Sequence, residues 1–199
     1  MMTGQQALSR PQNAVERFFM PLGEEIAKRN QAVVLAREYA ELEFGYTKDL
    51  PLWHVKAGFT LDDAGGFWNQ QAAKWSDYGP PTTEGLVVWI PFVLFAGMNA
   101  DCQSAGVKAI ADYCGLKQRT CFGSPSLLAG LHLARLHYYG GEPVLRNRWI
   151  RTGIEKAEGR MHMAVGCAIN DGQIAVELFW DTFSMAGLGC FFACYIGPA

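Results

Sequence analysis

The stretch from Met161 to Asp181, MHMAVGCAINDGQIAVELFWD, decides the fold. Asp171-Gly172 is a strong type I′ turn signal, and the residues on either side alternate between apolar and other side chains. With Asp171-Gly172 as a two-residue loop, Asn170 pairs with Gln173 and His162 pairs with Asp181. One face of the hairpin then carries Met163, Val165, Cys167, Ile169, Ile174, Val176, Leu178 and Trp180. All are apolar, as a half-buried antiparallel pair requires. The other face carries His162, Ala164, Gly166 and Ala168 with Ala175, Glu177, Phe179 and Asp181. The sequence thus predicts strands over about 161–169 and 173–181.

Working outward, the apolar tail 182–199, broken by Gly187, Gly189 and Gly197, reads as one or two buried strands. Upstream, Leu145–Ile150 is a strand candidate. The segment Ser126–Tyr139 is a helix, with Ser124 at its N-cap, Pro125 at its first position and Gly140-Gly141 at its end. A second helix is capped by Asn99 or Asp101, buries Val107, Ile110 and Ala111, and ends at Gly115. A short strand is expected around Arg119–Phe122. Leu86–Phe95 is a buried apolar segment interrupted by Pro91, and Leu52–Phe59 alternates as a half-buried strand. Ala64–Trp75 is weakly helical. Glu24–Glu43 reads as one helix, its two leading carboxylates placed at the positive end of the dipole. A short helix over 12–19 stops at Pro21. Together these elements predict an α+β class: a helical N-terminal half packed on an antiparallel sheet with a C-terminal β-meander, in a single domain over 1–199.

Composition narrows the function classes. Half of the 199 residues are hydrophobic and 18% are charged, enough apolar material for a packed core. The net charge of -2 gives no global attraction to polyanions, so nucleic acid is an unlikely partner. The run Leu86–Met98 is too short for a membrane span, which needs roughly 20 apolar residues. The start MMTGQQALSR has no apolar segment of the secretory kind. The six cysteines form no CxxC pair, and no metal spacing is completed by histidine. These features lead to the expectation of a soluble, cytoplasmic chain without a metal or other cofactor.

Two groups of residues carry candidate chemistry. In the expected register the His162 imidazole faces the Asp181 carboxylate, with Glu177 on the same face as a substitute. A carboxylate that fixes an imidazole tautomer is the orienting half of a catalytic triad. The matching nucleophile is Cys102, in the first turn of its helix, where the dipole favours a thiolate. Its backbone N–H is then a candidate oxyanion donor, and the small residues Ala164, Gly166 and Ala168 leave room for its helix. Separately, Arg146, Arg148 and Arg151 surround Trp149 and are candidates for an anion site. Taken one at a time, a cysteine, a His–acid pair or an exposed arginine is more commonly structural than functional.

The blocks Asp101-Cys102…Gly115-Leu116…Arg119…Gly123 and His162-Met163-Ala164-Val165…Trp180-Asp181-Thr182 resemble papain-like cysteine hydrolases, in particular the transglutaminase-like superfamily. The last three residues are similar to that family's Asp-Pro-Thr, with Thr182 in the place of proline. CHAP-type amidases use a similar order. The resemblance implies a Cys102/His162/Asp181 hydrolase or acyl transferase acting on an amide or ester of a small molecule or peptide. The alternative is a non-catalytic α+β domain that binds a small molecule through aromatics such as Phe179, Trp149 and Tyr139, or binds another protein. Homo-oligomer formation through an exposed edge strand is left open.

Overall fold

The computed structural model describes residues 14–46, 50–64, 67–68, 79–117, 119, 121–140, 145, 148–156, 161–167 and 174–197. After a helical turn at 14–18 the elements run β1 (Phe19–Pro21), α1 (Glu24–Ala27), α2 (Gln31–Phe44), β2 (Leu52–Val55), β3 (Phe67–Trp68), β4 (Gly85–Leu94), α3 (Ala100–Tyr113), α4 (Pro125–Tyr139), β5 (Trp149–Lys156), β6 (Met161–Cys167), β7 (Ile174–Trp180) and β8 (Leu188–Gly197). The class is α+β, with the strand-rich region at the C-terminal end, as the sequence predicts.

All strands join one sheet in the order β1-β2-β4-β8-β5-β6-β7-β3. β5, β6 and β7 form an antiparallel meander. The sheet is mixed rather than wholly antiparallel, because β8 returns beside β5 in parallel and β3 lies parallel to β7. Helices cover both of its faces. α4 packs Leu127, Leu128, Leu131 and Ala134 on Trp53, Val87, Trp89, Ile150 and Phe191. α2 and α3 pack Val33, Ala36, Val107 and Ile110 on Leu52, Val88, Ile90, Phe192 and Cys194. That double cover explains why β4 and β8 are apolar without alternation: neither face of a central strand meets water.

Local chemistry accounts for most boundaries. Asn99 caps α3 and accepts from the Cys102 N–H at 2.9 Å. Ser124 caps α4 and accepts from Leu127 N at 3.3 Å, with Pro125 at the first position. The expected helix over 24–43 is divided, because Asn30 accepts from Ala32 N at 3.1 Å and so starts a new helix inside the run. Pro91 lies where the β4–β8 register shifts between Ile90 and Leu94, as the missing N–H requires. β5 starts at Trp149, later than expected, and reaches Lys156. Arg119–Phe122 is not a strand, although Cys121 O accepts from Ala193 N at 2.9 Å. The expected helix over 64–75 lies mostly outside the described residues, and its described part, Phe67–Trp68, is a strand.

Candidate functional site

Of the residues singled out by sequence, Asp181 and Arg151 are joined to the start of the Cys102 helix where β7 ends. The hairpin is present, but its register differs from the expected one. His162 pairs with Phe179 and Met161 with Trp180, so Asp181 lies beyond the strand in a turn. The displacement is two residues. An even shift leaves every residue on its original face, so the apolar pattern that supports one register supports the other equally. The Asn170-Asp171-Gly172 turn that would distinguish them lies outside the described residues.

Asp181 has a different partner. Its carbonyl accepts from Ala100 N at 2.9 Å, tying the start of α3 to the end of β7. Its carboxylate favours the charged form of Arg151, opposing the burial that pushes the guanidinium below its ordinary value. Arg151 is 1% exposed. Its Nη1 donates to Met98 O at 3.2 Å and Gln103 Oε1 at 2.9 Å, and its Nη2 donates to Trp180 O at 3.2 Å and to Phe183 O. Gln103, also buried, donates Nε2 to Phe95 O, Met98 O and Leu188 O at 3.1–3.3 Å. These side chains brace the 95–99 segment, the 180–183 turn and the first turn of α3 as one unit.

This brace changes the expected anion site. Arg151 is committed to carbonyls inside the protein. Arg148 is exposed and donates to Ala186 O at 3.4 Å, while Arg146 lies outside the described residues. The described arginines therefore do not converge on a shared anion; Arg151 is taken up by the backbone carbonyls of Met98, Trp180 and Phe183.

Cys102 is exposed, whereas Cys114, Cys121, Cys190 and Cys194 are buried. Burial pushes the Cys114 and Cys190 thiols up to about 12, which leaves them protonated near neutrality. Cys102 is on the side of the sheet that α3 covers. In the backbone register Arg151 pairs with Ala164 and Ala164 with Glu177, while His162 pairs with Phe179. Two expected details are corrected. The Cys102 N–H, assigned to an oxyanion, is already donated to Asn99 Oδ1. Gly166 makes room for the Trp149 ring, not for a helix: a Cβ there would stand 2.7 Å from Trp149 Cε3.

Sequence reasoning missed one acid. Beyond a register shift in the β5–β6 pair, Glu155 is the residue opposite His162, and Glu177 is opposite Ala164. The signal was the polar run around Gly159 between Lys156 and Met161, which separates two strands.

The aromatics of the binding alternative are partly brought together. Trp149 meets Phe179 edge to face at 5.6 Å, and Phe179 stacks on Phe183 at 5.6 Å. Tyr139 is elsewhere, edge-on to Trp53 at 6.0 Å. Near this ladder Met98, Phe183 and Met185 are exposed by 45%, 42% and 39%. No cluster of three or more metal-ligating side chains is found among the described residues, and no described helix is long and apolar enough to cross a membrane.

No family model, curated protein or solved structure matches the chain.

Proposed function

We propose that the chain is a non-catalytic interaction domain, and that it receives an apolar segment of a partner protein on the Trp149–Phe179–Phe183 ladder and the flanking Met98 and Met185. The observation that carries this reading is the ladder itself, which runs from half-buried Trp149 and Phe179 to exposed Phe183. Aromatic and methionine side chains are enriched in the cores of protein interfaces. The Arg151 brace holds the backbone beneath, so little conformational entropy is lost on binding. Exposure of 39–45% at three large side chains describes an open surface, whereas small-molecule sites enclose most of their ligand.

The test is a photo-crosslinker at position 183, with one at exposed Leu42 as control, used in extracts of the cell that makes the protein. The expected result is a product at 183 that is abolished by excess wild-type domain but survives excess Phe183→Ser/Met185→Ser domain. Equal crosslinking from both positions overturns the reading. A product consisting of two copies of this chain replaces the partner protein with self-association.

A second reading, the cysteine hydrolase or acyl transferase, is favoured by one observation: the Ala100–Asp181 backbone bond, which seats the start of the Cys102 helix at the end of β7, the strand that pairs with the His162 strand. In this reading Cys102 is the nucleophile and His162 the base. The orienting acid is Glu155 or Glu177, since Asp181 lies beyond β7 in a turn. Iodoacetamide near pH 6 distinguishes the two readings. A hydrolase labels at Cys102 before the buried thiols and is slowed by His162→Ala; an interaction domain labels Cys102 at the same rate in both proteins.

A further inference from the structure

Away from that junction, three thiols converge in the core between α3 and the sheet. Cys114 is the C-cap of α3, Cys121 precedes the turn at Gly123, and Cys194 lies in β8. Their exposures are 4%, 2% and 0%, and none is in a disulfide. The Cys121 segment is tied to β8 on both sides of the thiols. Cys121 O accepts from Ala193 N at 2.9 Å, and Arg119 Nη1 donates to Tyr195 O at 2.8 Å. Gly123, at φ 72°, lies so close to β8 that a Cβ there would stand 3.3 Å from Ala193 Cβ. These ties hold the two backbones at about the 4.8 Å spacing of neighbouring strands. That spacing is within the range a disulfide spans. Both side chains belong to the same buried cluster, the Cys121 thiol donating to Arg119 O and the Cys194 thiol to Tyr195 O, each at 3.6 Å.

We propose that Cys121 and Cys194 are a redox pair that closes to an intramolecular disulfide when the protein meets hydrogen peroxide. Cys194 sulfur attacks the O–O bond and becomes a sulfenic acid, and the departing hydroxide takes the proton lost from the thiol. Cys121 sulfur then attacks the sulfenic sulfur, and the second oxygen leaves as water with the Cys121 proton. Two thiols and one peroxide give one disulfide and two waters. The new bond would staple the 119–123 segment, and with it the Ser124 cap of α4, to the central strand β8. Cys114, near enough to Cys194 for their charges to interact, is the thiol that could compete for the sulfenic acid.

The test uses the full chain with exposed Cys102 replaced by serine, treated with the peroxide dose that fully oxidises Cys102 in wild type. The expected result is a mass loss of two hydrogens, a proteolytic peptide pair joining Cys121 to Cys194, a rise in Tm, and reversal by dithiothreitol. In Cys121→Ser the resolving thiol is absent, so dimedone should trap Cys194. If that variant fails to fold, the peptide map of the Cys102→Ser protein decides alone. A linked pair containing Cys114 overturns the proposal. So does the survival of both thiols at that dose.

Discussion

Arg151 and His132 are both basic and both 1% exposed, yet their surroundings are opposite. Arg151 lies on the α3 side of the sheet and its terminal nitrogens donate to Met98, Trp180 and Phe183 carbonyls and to Gln103. His132, inside α4 on the other side, has no hydrogen-bond partner at either ring nitrogen. Although its Nε has no partner, the bonds at the Arg151 terminal nitrogens organise the backbone around it. Unsatisfied, a buried base abandons its charge: burial, helped by the Arg135 charge, lowers the His132 pKa to about 4. One face of this sheet is stabilised by a charge it keeps, the other carries a base it must keep neutral.

Breaking the satisfied side should have the largest effect. Arg151→Met removes the side-chain donor of Phe183 O and Gln103 Oε1 and one of the two donors to Met98 O and to Trp180 O. Loss of one partner of a buried charged network costs about 4 kcal/mol. Urea unfolding should show that loss with an unchanged m-value. Proteolysis within 180–187 should accelerate, because that turn loses its anchor. A change under about 1 kcal/mol would mean that water replaces the guanidinium and the brace is dispensable.

The unsatisfied side should respond to pH instead. His132 has a folded pKa near 4 against an unfolded value of 6.5. Above pH 6.5 neither state binds the proton, and no stability is lost. As pH falls from 6.5 to 4 the unfolded chain takes up the proton and the folded one does not, so stability drops, by about 3 kcal/mol in all. Below pH 4 both states are charged and this contribution flattens. The measurement is the difference in unfolding free energy between wild type and His132→Leu across that window. Leucine should match or exceed wild type at pH 7, since it removes two unpaired nitrogens, and the gap should widen toward pH 4. A parallel pair of curves would show that His132 finds a partner in solution.

The comparison also explains what the sequence could disclose. Alternation and Asp171-Gly172 were enough for a pair of antiparallel strands, and Ser124-Pro125 and Asn99 for two helix starts. These signals are local. The hairpin register was underdetermined, because apolar alternation repeats every two residues and tolerates an even shift. Asn30 as an internal cap was legible but outweighed by the apolar periodicity around it. Arg151 was beyond local reading. Its acceptors are at positions 98, 103, 180 and 183, and only tertiary packing brings them to position 151. The same cause moved the candidate site. Asp181 looked like an acid waiting for a histidine, but it lies in the turn after β7, where its charge acts on Arg151.

The smallest expected effect lies at the rim, where polar groups have water as an alternative. Asn99→Ala removes the side-chain oxygen that accepts from Cys102 N. Loss of a cap of this kind costs about 1 kcal/mol, far less than Arg151, because the freed N–H is exposed and can be hydrated. Asn99→Asp should restore the cap to within a few tenths of a kcal/mol, as carboxylates cap equally well. The same substitution bears on the thiol. In wild type the Cys102 N–H is occupied by Asn99; in Asn99→Ala it is free to stabilise charge on the neighbouring sulfur or on a bound oxyanion. If Cys102 is an ordinary exposed thiol, iodoacetamide should label wild type and Asn99→Ala at rates within about two-fold, since one solvated N–H is worth a few tenths of a kcal/mol to a nearby charge. A ten-fold acceleration in Asn99→Ala, abolished by His162→Ala, would reveal a nucleophile held in check by its own helix cap, and would return the junction to the hydrolase reading.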